Sequence, residues 1–282
     1  MPQVELAAGT LEYEDTGGSG PVVVLVHGLA MDGSLWRHVV ADLRGDYRCV
    51  VPTWPLGGHR RPMHPDADLS MTGHARLMAE FLERLGLSDV TLVGNDWGGA
   101  LAFVAEGPTD RVGRLVISSC EAFDNYPPGL PGRAVWLAAH VPGGVNAMAQ
   151  PLRWRRLRRL PFAFGRMSKR PIPDDVMDRW LGPLLAQRAI RRDVVRYARS
   201  TPRDALERAA ESFGDFDRPV LVVWAAEDRV MPPEHGRRLA ELFPRGRYVE
   251  VADSYTLIPE DQPGVFTSHL RAFLADAVTP AA

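Results

Sequence analysis

Cysteine is scarce in this chain and long apolar runs are absent. Of 282 residues only two are cysteines, Cys49 and Cys120. Both sit inside apolar runs, Tyr47–Val51 and Leu115–Cys120. That excludes a disulfide framework and predicts buried, reduced thiols in a cytoplasmic protein. No run approaches the roughly 18 apolar residues of a membrane span, and Met1–Leu6 lacks the basic start and apolar stretch of a secretory signal. Neither sign of charge dominates: Lys plus Arg number 33 and Asp plus Glu 35, a net charge of -2. A general nucleic-acid binder is thereby disfavoured. There is no internal repeat, no low-complexity tract and no His/Cys/Asp cluster with metal-ligand spacing. With 45% hydrophobic and 24% charged residues, disorder, collagen and coiled coil are excluded.

What is present alternates. Val4–Leu6 and Leu11–Glu14 read as a hairpin. Continuous apolar runs follow at Val22–Val26, Tyr47–Val51, Val90–Val93, Leu115–Ser118, Val220–Trp224 and Tyr248–Val251. Runs without polar alternation are strands buried on both faces, as in a parallel sheet. Helical patterns separate them, most clearly Leu77, Met78, Phe81, Leu82 and Leu85, closed by Gly86. The fold class is α/β, with a mostly parallel central sheet flanked by helices. Between Glu121 and Phe216 the rhythm breaks into a Pro-, Arg- and Trp-rich stretch with helical spacing. The expected organisation is a core of residues 1–120 and 216–282 with a helical cap inserted at 121–215. The cap would emerge at the carboxyl ends of the strands, where α/β sheets bind ligands. Within it, Arg153–Leu160 carries Trp154, Leu157 and Leu160 at threes and reads as an amphipathic helix with a basic outer face. Ala277–Ala282 is expected to fray.

The chemistry is carried by Val93-Gly94-Asn95-Asp96-Trp97-Gly98-Gly99. A strand enters a Gly-x-Asp-x-Gly turn and leaves as a helix, so the central side chain stands proud in a strained conformation at a helix N-terminus. Where esterases place Ser, this chain has Asp96, a carboxylate able to attack carbon and form an ester. His27-Gly28-Leu29 follows the first buried strand and can aim the Leu29 N–H at the pocket that the Trp97 N–H faces, making an anion hole. The indoles of Trp97 and Trp36 are open to two readings, ligand donor or core aromatic. A third strand, Val220–Trp224, delivers Asp228, suited to orient a base.

These motifs resemble those of α/β-hydrolase-fold proteins, and the Asp nucleophile resembles the epoxide hydrolase and haloalkane dehalogenase branch. The resemblance implies Asp96 as nucleophile, Leu29 and Trp97 as oxyanion-hole donors and Asp228 as the orienting acid. It departs at one point. The family follows its last strand with Gly-His, two apolar residues, Pro, acid, acid, Gln, Pro. Here Ala252–Pro263 offers no His, and counting back from Gln262-Pro263 puts Thr256 at that position. A hydroxyl is no base at neutral pH, so ester formation on Asp96 can proceed while hydrolysis stalls.

Other groups are candidates for the pocket: His59 as a stand-in base or a loop anchor, His140 in the cap, His27 at its loop, Tyr126 and Tyr197 as cap phenols, and Tyr255 beside Thr256. The leading expectation is an epoxide-hydrolase-like enzyme acting on a small apolar substrate through Asp96. Two alternatives stand beside it. One is non-hydrolytic chemistry, meaning ring opening with rearrangement, cyclisation, elimination or isomerisation. The other is a ligand-binding protein that kept the pocket and lost turnover. No cofactor, nucleic acid or membrane partner is implied; a small hydrophobic substrate is, with a homodimer as the assembly considered.

Overall fold

The computed structural model describes residues 1–276; the fraying expected at Ala277–Ala282 lies outside them. The strands are β1 (Gln3–Leu6), β2 (Gly9–Asp15), β3 (Val22–Val26), β4 (Arg48–Pro52), β5 (Val90–Asn95), β6 (Val112–Ser118), β7 (Val220–Ala225) and β8 (Gly246–Val251). Among the described residues they form one sheet in the order β1-β2-β4-β3-β5-β6-β7-β8. The first two pairings are antiparallel and the rest parallel. Every residue of β5 and β7 is buried, which is why these strands read as unbroken apolar runs. Each such Val or Leu contributes roughly 1.5–3 kcal/mol relative to exposure.

The α-helices among the described residues are α1 (Arg37–Leu43), α2 (Met71–Arg84), α3 (Gly99–Glu106), α4 (Gly129–His140), α5 (Gly144–Ala149), α6 (Asp174–Ala186), α7 (Arg188–Ser200), α8 (Ala205–Ala209), α9 (Pro233–Leu242), α10 (Ile258–Asp261) and α11 (Pro263–Asp276). In α2 the Ser70 hydroxyl caps the first turn by accepting the Gly73 N–H, and Leu77, Met78, Phe81 and Leu82 are buried. Gly86 ends the helix region at φ +62°, a conformation that suits glycine after a helix. Only helices and turns lie between β6 and β7. They share a small apolar cluster of their own, including Ala139, Val145, Leu184, Ile190 and Val194.

The segment Arg153–Leu160 is not the amphipathic α-helix its spacing suggests. It forms short 3-10 turns, Gln150–Arg153 and Arg155–Arg159. Trp154, expected inward, is 69% exposed, while Arg158 is buried. The Arg158 guanidinium donates to the Leu152 carbonyl at 2.8 Å and pairs with Asp178 at 2.6 Å. Among the described residues no helix is long and apolar enough to cross a membrane.

Candidate active site

The carboxyl ends of five parallel strands bring the chemistry together. Leu29 follows β3, Asp96 follows β5, Glu121 follows β6, Asp228 follows β7 and Thr256 follows β8. Asp96 sits at φ +53°, a left-handed conformation that costs a non-glycine residue of order 1 kcal/mol or more. Its approach to the β3 loop is close. A Cβ on Gly28 would stand 2.0 Å from the Asp96 carbonyl oxygen and 2.3 Å from Oδ2, so only glycine fits there. The Leu29 N–H acts on the Asp96 carboxyl and pulls its pKa down. Asn95 braces the corner: its Nδ2 donates to the Ser118 carbonyl at 3.0 Å and to the Thr256 carbonyl at 2.8 Å.

Asp228 turns one oxygen toward three donors. Its Oδ1 accepts the Val230 and Met231 N–H groups, each at 2.9 Å, and the Thr256 hydroxyl at 2.7 Å. Its Oδ2 is buried and makes no hydrogen bond among the described residues. Thr256 is fully buried.

A cavity opens above Asp96. Its wall includes Leu29, Ala30, Tyr126, Tyr197, Val230 and a second carboxyl, Glu121, which the sequence reading missed. The remaining wall is apolar and comes from the helical segment, Val135, Trp136, Met148, Leu152, Phe164 and Leu181 among it. Glu121 is 6% exposed, and its Oε2 accepts the Gly98 N–H at 2.6 Å. Burial, aided by the charges of Glu121 and Asp228, holds the Asp96 carboxyl well above the usual range, against the pull of the Leu29 N–H. Burial also raises Glu121 to about 7, opposed by its own N–H and that of Gly98. Asp228 is raised by burial too, against its several donors.

Other proposed pocket residues stand elsewhere, each for a visible reason. His27 is fully buried behind the wall: its Nδ1–H donates to the Gly28 carbonyl at 2.9 Å and its Nε2 accepts the Trp54 N–H at 2.8 Å. Burial lowers it to about 4, so it is a neutral loop anchor. His59 accepts the Gly57 N–H on Nδ1 and donates from Nε2 to Asp193 of α7 at 3.2 Å. It clamps the helical segment to the core and does not line the cavity. His140 lies on the outer side of α4 against the Trp136 ring, 4.1 Å between centroids. Trp36 is wholly buried near Phe266. The Trp97 ring packs beside Trp54 with centroids 5.5 Å apart and lies against Gly99, so its indole is not part of the cavity wall. Tyr255 faces Arg229, 4.4 Å from its ring centre. Thr256 meets Asp228 rather than the cavity. Of the side chains weighed, Tyr126 and Tyr197 do line it, their rings edge to face at 6.5 Å. Among the described residues no His/Cys/Asp/Glu group could hold a metal ion.

Residues 21–263 match the family model of the alpha/beta hydrolase fold. The chain belongs to that family. A cis-3-alkyl-4-alkyloxetan-2-one decarboxylase of Xanthomonas campestris pv. campestris is 30% identical, over 94% of this chain and 92% of its own length. A haloalkane dehalogenase of Mesorhizobium japonicum is 24% identical over 98% and 91%. Among solved structures, haloalkane dehalogenase DbeA from Bradyrhizobium elkani superposes with a TM-score of 0.79 at 19% identity, covering 98% of both chains. The chain is thus an alpha/beta hydrolase enzyme related to haloalkane dehalogenases.

The buried titratable groups make a prediction about stability. His74 is fully buried with its Nδ1 accepting the Trp54 indole N–H at 2.9 Å, and burial lowers it to about 3. Between about pH 5 and 6, unfolded histidines take up protons that folded His27 and His74 refuse, so their contribution to stability is lost as pH falls. Asp96 and Glu121 act oppositely: folded, they keep protons that the unfolded chain has released, so their contribution is lost as pH rises. Asp228, also raised, joins the carboxyls and His235, also lowered by burial, joins the histidines, so three groups oppose three and stability stays nearly flat across this window. The double variant Asp96→Asn/Glu121→Gln should instead lose about 2.7 kcal/mol of stability per pH unit on acidification. Urea unfolding at both ends of the window measures the slope; an unchanged flat profile would contradict the assignment.

Proposed function

We propose that this enzyme opens a strained oxygen-containing ring on an apolar substrate, with Asp96 as covalent nucleophile, and leaves the covalent state without using water. The observation that carries the reading is the corner itself. What supports it is a strained turn that sets Asp96 against the Leu29 N–H, and an Asp228 that receives a threonine hydroxyl and no imidazole. Thr256 is read as standing in the place of the family's histidine.

A cis-dialkyl β-lactone, the substrate class in the decarboxylase relative's name, suits such a site. Asp96 attacks the alkyl-bearing ring carbon bonded to the ring oxygen, not the carbonyl carbon. The C–O bond breaks, its electron pair stays on oxygen, and a carboxylate is freed on the neighbouring carbon. The bond to that carboxylate then breaks to release CO2, its electrons form the alkene, and the Asp96 ester leaves as carboxylate. The balance is lactone to alkene plus CO2. No water and no base enter, so the missing histidine costs nothing. The apolar helical wall, read as a cap, takes the alkyl chains and excludes water, and a carboxylate out of water loses CO2 more readily.

The tyrosines favour a second ring. Tyr126 and Tyr197 line the cavity and could donate to an epoxide oxygen as Asp96 opens it, leaving an ester for rearrangement. The test gives the enzyme a cis-3,4-dialkyl-oxetan-2-one and a chain-matched epoxide in 18O-labelled water. Alkene and CO2 over many turnovers, with no label in Asp96, is the expected result. A hydroxy acid or diol formed through labelled Asp96 would overturn the non-hydrolytic exit.

A further inference from the structure

Among the described residues, the ionisable groups of the cavity wall are Asp96, Glu121 and two tyrosines, with no Arg, Lys or His. The two carboxyls are built into one corner. Glu121 accepts the N–H of Gly98, two residues beyond Asp96. The Asp96 N–H in turn donates at 3.0 Å to the carbonyl of Ser119, two residues before Glu121. A Cβ on Gly98 would stand 3.0 Å from the Glu121 carbonyl oxygen and 3.1 Å from its Cβ. The charges that act on Asp96 are those of Glu121 and Asp228, and Arg238 of α9 lies over the Phe123 ring, 4.0 Å from its centre. His27 beneath the β3 loop is held neutral by burial, and His235 on α9 is lowered by it. The Cys120 thiol and both tyrosine hydroxyls are pushed up by burial. Asp228 is a third carboxyl at the same edge, with three donors on one oxygen. Ionising Asp96 and Glu121 together would set two like charges in an apolar cavity beside it, and such pairs retain a proton.

We propose that Asp96 and Glu121 form a carboxyl pair sharing one proton in the working enzyme, and that Glu121 is a catalytic residue: with the proton on Glu121, Asp96 attacks while the Glu121 O–H donates to the oxygen leaving the ring carbon. The Asp96–carbon bond forms, the carbon–oxygen bond breaks with its electrons on oxygen, and the proton stays on Glu121 throughout. The donor role rests on the ring-opening reading; the shared proton does not. The Leu29 N–H favours the reactive arrangement by stabilising charge on Asp96, while the Gly98 N–H stabilises charge on Glu121 and opposes it.

Infrared titration of the protonated-carboxyl band in the wild type, Asp96→Asn and Glu121→Gln tests the pair without any substrate. The wild type is expected to release two protons in separate steps, and each variant a single proton at a pH between them. Titration of the wild type as the plain sum of the variants would overturn the pair. The pH profile of lactone consumption tests the donor. Glu121→Gln keeps an acceptor for Gly98 and an N–H donor for the substrate. It should hold activity within about tenfold at neutral pH and lose the alkaline limb of a bell-shaped profile, whereas Glu121→Leu should fall about 100-fold, the typical worth of one such donor. An alkaline limb that persists in Glu121→Gln would overturn the donor role. A wild type that leaves the lactone untouched would overturn the ring-opening reading, while the infrared result would still decide the pair.

Discussion

Replacing Asp96 with Asn is expected to abolish turnover while raising stability. Loss of a covalent nucleophile costs on the order of 10⁴-fold or more in rate, because binding and anion donors alone supply the remainder. The fold should tolerate the change well. Asn is nearly isosteric with Asp and is among the residues that accept a positive φ, as position 96 requires at +53°. The substitution also removes a buried carboxyl that Glu121 and Asp228 both disfavour as an anion. A gain of roughly 1–2 kcal/mol is therefore expected, in line with the cost of burying a polar group poorly compensated by hydrogen bonds. Product formation and urea unfolding on the same preparation measure both effects. Full activity in the variant would remove Asp96 from the chemistry, and a less stable variant would mean the carboxyl is better served than its surroundings indicate. Undiminished binding of a substrate that the wild type never converts would favour the ligand-binding alternative.

Much of this site could be read before folding because its geometry is local. The strand, Gly94, Asp96, Gly98 and the helix after them lie in one unbroken stretch, and backbone sterics within that stretch dictate the turn. Asp228 was found for the same reason, at the end of an apolar run. Glu121 was not, although it too follows a strand. No glycine or turn signature flanks it, and its place depends on a hydrogen bond to Gly98, which belongs to a different strand-helix unit. The order of strands had no local signal either: β4 lies between β2 and β3 through tertiary packing alone. His59 was open to two readings, and the structure bears out the loop anchor. Its loop position suggests chemistry, but its partner is Asp193, 134 residues away on α7, and the pair is structural. The basic segment misled through its period. Trp154, Leu157 and Leu160 recur at threes, which is the repeat of a 3-10 helix rather than an α-helix, and Pro151 and Pro161 bracket the stretch. Short 3-10 turns bury no continuous face, which leaves Trp154 in solvent.

Substituting Thr256 by His is expected to convert the chemistry from non-hydrolytic to hydrolytic. The corner is nearly arranged for it. Asp228 already directs Oδ1 to residue 256, its Oδ2 lacks a hydrogen bond among the described residues, and Asn95 fixes the backbone of residue 256 beside the nucleophile turn. An imidazole there could donate from Nδ1 to Asp228 and present Nε2 to a water attacking the Asp96 ester. Thr256 is fully buried, so the larger ring should cost about 1–3 kcal/mol of stability through overpacking. A positioned general base is worth roughly 10²–10⁴-fold. The measurement uses 1-bromohexane, which alkylates a carboxylate without needing a proton donor. Intact mass should show a hexyl ester on Asp96 that persists in the wild type and decays about 10²-fold or more faster in Thr256→His, with 1-hexanol released. With a β-lactone the same variant should divert part of the alkene to hydroxy acid, because water then competes with loss of CO2 for one intermediate. A wild-type ester that decays as fast as the variant's would mean another group already supplies the base, and the exit without water would lose its physical basis. An ester that is long-lived in the wild type and short-lived in Thr256→His would tie the fate of the intermediate to the side chain that meets Asp228.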